Sequence, residues 1–297
     1  MIEKLKFSIV RNYKIFFSIT ITFLMIGFGS MIFRGFNLGI DFTGGSIMDL
    51  KFKQPVTITQ VRDVLKDHEL GNSIIQLESK DTNATSSDAV LVRTGIIDDA
   101  KRRAVMEDMQ KRIGNFDIKR VENVGGTIGG ELIQQAVMAI MLSWVLMIAY
   151  ITLRFEFRFA IAAIIALIID VSVTLSYFSL LHVEMDSSFV AALLTVVGYS
   201  INGTIVVFDR VRENLKIHRR SESLSDMIDN SIWQTMTRSI YTVGTSLFSI
   251  IAIFIWGGET IHNFAFAMLV GFSSGAYTST FLAGPMWLFF RGKKAGE

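Results

Sequence analysis

The sequence predicts an α-helical polytopic membrane protein: six transmembrane helices, with a ferredoxin-like α+β extracytoplasmic domain between the first and the second. Three observations point there. Charged residues make up 19 % of the 297 residues and apolar residues 51 %, with a mean hydropathy of +0.44, whereas soluble domains carry about 25 % charged residues. Six charge-poor runs are each long enough for a hydrocarbon core, which takes about 20 residues to cross. Between the first two runs lies one long polar stretch with the periodicity of a soluble domain.

Counted between ionisable residues, 19 residues separate Lys14 from Arg34, 22 separate Glu131 from Arg154 and 23 separate Arg158 from His182. A further 22 lie between Asp186 and Asp209, 20 between Arg238 and Glu259, and 31 between Glu259 and Arg291. The last run is overlong, so its span is placed to begin near Phe264. Only the third run contains a charge, Asp170. Span one follows basic residues as a signal peptide would, but it lacks a small-x-small cleavage site and reads as an uncleaved anchor.

Basic residues set the orientation. Fifteen of the 29 fall on one side: Lys4, Lys6, Arg11 and Lys14; Arg154 and Arg158; Arg210, Arg212, Lys216, Arg219, Arg220 and Arg238; Arg291, Lys293 and Lys294. The opposing short turns near 182–186 and 257–262 have none. Both termini are therefore expected in the cytoplasm. The expected order is a cytoplasmic N-terminus (1–14), transmembrane helix one (15–35), an extracytoplasmic domain (36–131), helices two to six (132–290) and a cytoplasmic C-terminus (291–297). Within it, 209–235 is expected to be a cytoplasmic amphipathic segment lying along the membrane.

The external stretch alternates like a strand at 46–52. It takes helical spacing at 57–67, with Thr57 or Thr59 as a cap. Strands are expected at 73–78 and 89–94 around a loop at 81–88, then a helix at 98–113 and a strand near 116–124. The order β-α-β-β-α-β is the ferredoxin-like pattern. The charges along 98–112 read as a solvated helix face or a partner-binding surface.

Composition removes several kinds of chemistry. With no Cys there are no disulfides, thiolate nucleophiles or Cys-based zinc sites. His68, His182, His218 and His262 form no chelating pair, and no catalytic constellation is visible, so no enzyme activity, metal or nucleotide is expected. A net charge of +2 gives no reason to expect a nucleic-acid partner.

A few residues stand out. In 38–45, Gly39, Gly44 and Gly45 permit a tight backbone, and Asp41 and Thr43 can turn or cap it; no phosphate loop is present, because no Lys-Ser/Thr follows. Asp170 is the twelfth residue of its 23-residue run. A charged Asp at mid-bilayer costs about 2.5–3.5 kcal/mol, so it must face protein or water. It either bonds across helices for packing or serves a gradient-linked role. Arg238, read as about 9 Å into a helix starting near Ile232, either snorkels to the surface or pairs with a carboxylate, from Asp170 or from another subunit. Asp209, Arg210 and Arg212 form a collar, with Asp209 and Arg212 spaced to pair. Gly271 and Gly275 make a small-xxx-small face, widened by Ser274 and the nearby Ser273, and Gly198 and Gly244 are expected to allow similar close approach.

Together, LGIDFTGG (38–45), VGGTIGGEL (124–132) and GYSINGTIVVFDRVREN (198–214) resemble the SecF family of protein-export membrane proteins. In that family the last two stretches read VGPTVGxEL and GYSINDTVVVFDRIREN. RFEFRFA (154–160) agrees, as do the six spans with one large first external loop, so the resemblance covers nearly the whole chain. It implies an RND-type (resistance–nodulation–division) transporter fold in the cytoplasmic (inner) membrane. It also implies work with SecD, on a proton or sodium gradient, to pull unfolded preprotein from the SecYEG channel, with YajC as a further partner. The only ion implied is the transported proton or sodium. Asp170, Asn202, Thr204 and Arg238 become ion-coupling candidates. Two positions depart from the family: Gly203 stands where it has Asp, and Ile169 where it often has His. Asn202 and Thr204 can hydrogen-bond an ion or water but cannot titrate usefully. The alternatives are a scaffold half of SecD–SecF without its own ion coupling, or half of an exporter of lipids or small molecules.

Overall fold

The computed structural model describes residues 7–78, 85–218 and 223–292. In chain order the elements are α1 (Tyr13–Phe33), β1 (Asn37–Leu38), α2 (Ile40–Thr43), β2 (Gly45–Thr57), α3 (Ile58–Asp67), β3 (Ile74–Glu78) and β4 (Ser86–Thr94). There follow α4 (Asp99–Arg112), β5 (Phe116–Val124), α5 (Gly126–Arg154), α6 (Phe157–Leu181), β6 (Glu184–Met185), α7 (Ser187–Ile217) and α8 (Leu224–Trp256). Last come α9 (Glu259–Tyr277), a π-helical turn (Thr278–Leu282) and α10 (Ala283–Arg291). Two compact units result, one of Leu38–Ala136 and one of Met1–Asn37 with Val137–Glu297. Lys4, Lys6, Arg219, Arg220, Lys293, Lys294 and 81–84 of the expected loop lie outside the described residues.

In the Leu38–Ala136 unit the sheet order is β3-β4-β2-β5 with every neighbour antiparallel. That is the ferredoxin-like arrangement, built from the expected β-α-β-β-α-β order. Alternation along β2 sends Met48, Leu50 and Phe52 to one face, where they meet Val90 and Val92 of β4, Val61, Val64 and Leu65 of α3, and Val105 and Met109 of α4. Each fully buried side chain of this kind contributes about 1.5–3 kcal/mol. Thr57 closes a capping box: its hydroxyl accepts from Gln60 N, and the Gln60 side chain accepts from Thr57 N at 2.9 Å. Asp98 caps α4 by accepting from Lys101 N at 2.7 Å. The charges of α4 do more than meet solvent. Arg112 bridges to Asp67 and lies 3.5 Å from Asp108, which is 3.0 Å from His68, so the charged face ties α4 to the end of α3. Asp67 raises the Arg112 guanidinium above its ordinary pKa.

Six helices among the described residues are long and apolar enough to cross a membrane. Helix α6 is central and packs against α1, α7, α9 and α10. Small residues bring these helices close. A Cβ on Gly27 of α1 would lie 2.0 Å from Ser176 Oγ of α6, and Ser30 and Ser179 hydroxyls meet at 2.9 Å. Gly271 and Gly275 behave as expected: added Cβ atoms would sit 2.2 Å from Val196 and 2.9 Å from Ser200 of α7. Gly198 and Gly244 do not, because nothing lies within 4 Å of a Cβ at either. Each faces away from the seam its own helix makes.

The helix ends also differ from the expectation. Among the described residues no separate surface segment occupies 209–235: Asp209–Ile217 continues α7, and α8 opens at Leu224, where Ser223 caps it by accepting from Asp226 N. The two helices are joined beyond the apolar runs by Asn214 Nδ2, which donates to Ser231 Oγ at 2.8 Å and Gln234 Oε1 at 3.1 Å. The π-helical turn has a local cause in Pro285, whose ring clashes with the carbonyl four residues back, at Phe281 inside the turn.

Candidate functional site

Asp170 faces the bundle core and is fully buried. Helix α6 brings it opposite α7 and α9, and three hydroxyls converge on its carboxylate. Ser200 Oγ donates to Oδ2 at 2.5 Å, Ser274 Oγ donates to Oδ1 at 2.6 Å, and Thr278 Oγ1 lies 3.0 Å from both oxygens. Thr174, one turn along α6, returns its own hydroxyl to Asp170 O at 2.9 Å. The acid is thus held in hydrocarbon by neutral donors from three elements, with hydrogen bonds replacing the water it gave up. Ser200 and Thr278 were not singled out from sequence, and Ser274 was read only as part of the Gly271–Gly275 packing face.

Arg238 does not pair with Asp170. It lines a cleft of about 60 Å³ with Tyr199, Ser200, Asn202, Gly203, Thr242 and Ser279 among its walls, so Ser200 both bonds Asp170 and faces this cleft. Helix α8 begins at Leu224 rather than Ile232, so Arg238 sits about 21 Å along it. Its guanidinium has no hydrogen-bond or ion-pair partner among the described residues. Gly203 faces Ser279, whose Oγ would be 3.2 Å from an added Cβ. Nor do Asn202 and Thr204 converge on one ion. Two residues apart on α7, they point to different sides: Asn202 lines the cleft, whereas Thr204 is buried with its hydroxyl unpartnered.

The junction motif is a built turn. Gly39 caps the single helical turn α2 and its carbonyl accepts from Phe42 N and Thr43 Oγ1, both at 3.1 Å. Asp41 lies in that turn. Gly44 and Gly45 take φ of +71° and +138°, and a Cβ on Gly45 would meet Thr94 O at 2.6 Å. The second glycine motif packs on the first: a Cβ on Gly129 would lie 2.5 Å from Phe42 O.

At the collar Asp209 and Arg212 pair at 3.2 Å as spaced, and Arg210 pairs with Glu213 at 2.9 Å. Arg212 also donates to Arg154 O at 2.9 Å and stacks over Phe155 at 4.9 Å, which caps the end of α5. A buried acid of α8 also escaped the sequence reading. Asp229 of α8 accepts from Val10 N at 2.8 Å and from the Ser8 hydroxyl, while Trp233 Nε1 donates to Phe7 O at 3.1 Å. These bonds tie the segment before α1 to the start of α8. Among the described residues no group of three His, Cys, Asp or Glu could hold a metal.

The family model "Protein export membrane protein SecD/SecF, C-terminal" matches residues 105–293, and the model "SecD/SecF GG Motif" matches 29–56. A protein translocase subunit SecF from Acidaminococcus fermentans is 68 % identical over 97 % of this chain and 98 % of its own length. The chain belongs to the SecF family. Its counterpart in Vibrio alginolyticus, also a protein translocase subunit SecF, is 37 % identical over 94 % of this chain and 88 % of that one. The crystal structure of SecDF from Thermus thermophilus, a translocon-associated membrane protein, matches with a TM-score of 0.86 at 30 % identity, over 96 % of this chain and 39 % of that one. SecDF in a super-membrane-facing form matches at 0.70 with 31 % identity over the same shares. The SecF-family chain therefore corresponds to well under half of SecDF.

Proposed function

We propose that this chain is one half of a two-part unit of the cytoplasmic membrane, with both termini cytoplasmic, that draws preproteins across on a proton or sodium gradient. The other half is a SecD-type chain, and the pair acts at a SecYEG-type channel, with YajC as an accessory. The observation that carries the reading is the cleft at Arg238. A guanidinium without a partner, beside a glycine where the family places an acid, is a costly thing to leave near hydrocarbon. A carboxylate from an adjoining subunit would neutralise it there, and its occupancy by an ion would then set how tightly the halves hold. Asp170 supplies a second ionisable group inside this chain. Gly203 favours one rival, a passive half whose partner carries every ion.

The test is complementation of a strain depleted of its own copy, with maturation of an exported preprotein and recovery of the SecD-type chain on a tagged subunit both measured. Arg238→Gln is expected to lower both, and Arg238→Lys to restore part of each. Full recovery and full maturation with Arg238→Gln would remove the reading. Unchanged gradient-dependent maturation with Asp170→Asn, while Arg238→Gln fails, would leave the passive half.

A further inference from the structure

Asp170 does not itself line the Arg238 cleft, but Ser200 bonds it and lines the cleft, and one helical turn also touches both. Thr278 opens the π-helical turn and bonds Asp170, and the next residue, Ser279, lines the cleft opposite Gly203. The Thr278 hydroxyl has one hydrogen and two acceptors in reach, the Asp170 carboxylate at 3.0 Å and Gly275 O at 3.2 Å. It can donate to only one at a time. An ionised Asp170 accepts from Ser200, Ser274 and Thr278 together. Once protonated, Asp170 must itself donate to a hydroxyl oxygen, and the hydroxyl that gives way needs another acceptor. Thr278 has one in place.

We propose that Asp170 is a proton-operated latch on the π-helical turn. Ionised, it holds the turn through Thr278; protonated by one proton from the aqueous phase, it releases Thr278 to Gly275 O, and the turn shifts Ser279 within the cleft. The turn is suited to moving, because Pro285 has already removed the backbone bond to Phe281 O. The consequence for a partner's carboxylate rests on reading that cleft as the subunit contact. None of the other ionisable groups on the surrounding elements bonds Asp170, whose partners are the three hydroxyls. Tyr277 of α9 donates to Phe16 O, Tyr199 of α7 stacks on Phe272, and Arg291 of α10 lies over Trp287. Arg238 of α8 is in the cleft, Asp209, Arg210 and Arg212 form the collar, and Arg34 beyond α1 donates to Leu180 O.

The chain has no cysteine, so Ser279→Cys places a single thiol in the cleft of the full-length protein. Its rate of reaction with a sulfonated methanethiosulfonate is measured in lipid vesicles between about pH 5.5 and about pH 8, and again with Asp170→Asn, which cancels the thiol's own titration. The Asp170 chain is expected to depart from the Asp170→Asn chain by about threefold or more across that range. Thr278→Val is expected to abolish the departure, and Thr278→Ser, which keeps the hydroxyl, to retain it and so exclude a folding defect. Superimposable profiles with and without Asp170, or a full departure in Thr278→Val, would overturn the latch. If the departure is present but Arg238→Gln leaves subunit recovery unchanged, the latch stands and the subunit reading falls. The reverse pair of results fells the latch alone.

Discussion

Replacing Gly271 with alanine tests whether the α7–α9 seam keeps the Asp170 site in register. The new Cβ would lie 2.2 Å from Val196 Cγ2, 2.6 Å from Cγ1 and 2.9 Å from Cβ. Carbon atoms settle at about 3.5–4.0 Å, so the first contact is short by about 1.3 Å. Val196 is fully buried and β-branched, with one strongly preferred rotamer in a helix, and cannot swing aside. The helices must part. Overpacking of this kind costs about 1–3 kcal/mol, and each kcal/mol lowers the melting temperature of a chain this long by about 1.6 °C. Parting also stretches the bridge that Asp170 makes between Ser200 of α7 and Ser274 of α9, and loosens the Tyr199–Phe272 stack at 3.7 Å. Gly29→Ala is the control, since nothing lies within 4 Å of its Cβ. Adding Val196→Ala removes both Cγ atoms and leaves the 2.9 Å contact, a shortfall of about 0.6 Å. The double variant should recover part of the loss, with a coupling energy of about 1 kcal/mol. Thermal unfolding in detergent micelles reads the wild type, the single variants Gly271→Ala, Gly29→Ala and Val196→Ala, and the double variant. Equal melting temperatures for Gly271→Ala and Gly29→Ala, or strictly additive losses in the double variant, would refute the seam.

Asp229→Ala leaves the buried Val10 N–H without its acceptor, at a cost of about 1–3 kcal/mol. Faster amide exchange over residues 8–12 should follow, with Asp229→Asn intermediate, and unchanged exchange would count against the tie. Thr57→Ala removes one side of the capping box and should destabilise α3 by about 0.5–2 kcal/mol, read by exchange at Gln60, whereas Thr57→Ser stays near wild type. Arg112, raised further above its ordinary range by Asp67, contributes its charge fully below that range and loses it only above. Arg112→Gln should therefore leave the pH dependence of melting unaltered between about pH 6 and about pH 9.

The spans were readable because charges bracket them. For the same reason their ends were misplaced: a charge marks where hydrocarbon stops, not where a helix does, and α7 continues through Asp209, Arg210 and Arg212 to Ile217. The small domain was readable from alternation in 46–52 and the helical spacing of 57–67, since both periods come from local backbone geometry. Asp170 stood out as an acid inside an apolar run. Its partners did not, because Ser200, Ser274 and Thr278 lie 30, 104 and 108 residues away, and a hydroxyl in a membrane helix can equally bond its own backbone. Asp229 was hidden among polar neighbours taken for a surface segment. Spacing located Gly271 and Gly275, but glycine alone misled at Gly198 and Gly244, where close approach depends on what the other helix presents.

Helices α7 and α8, with 31 and 33 residues, measure about 47 Å and about 50 Å, against a hydrocarbon core of about 30 Å. Their adjoining ends overrun the lipid on the same side and stay clasped by Asn214. A large body nearing the bilayer at that point would meet this paired post before a headgroup. The membrane's local outline there is drawn by protein, and whatever docks must be shaped to straddle it.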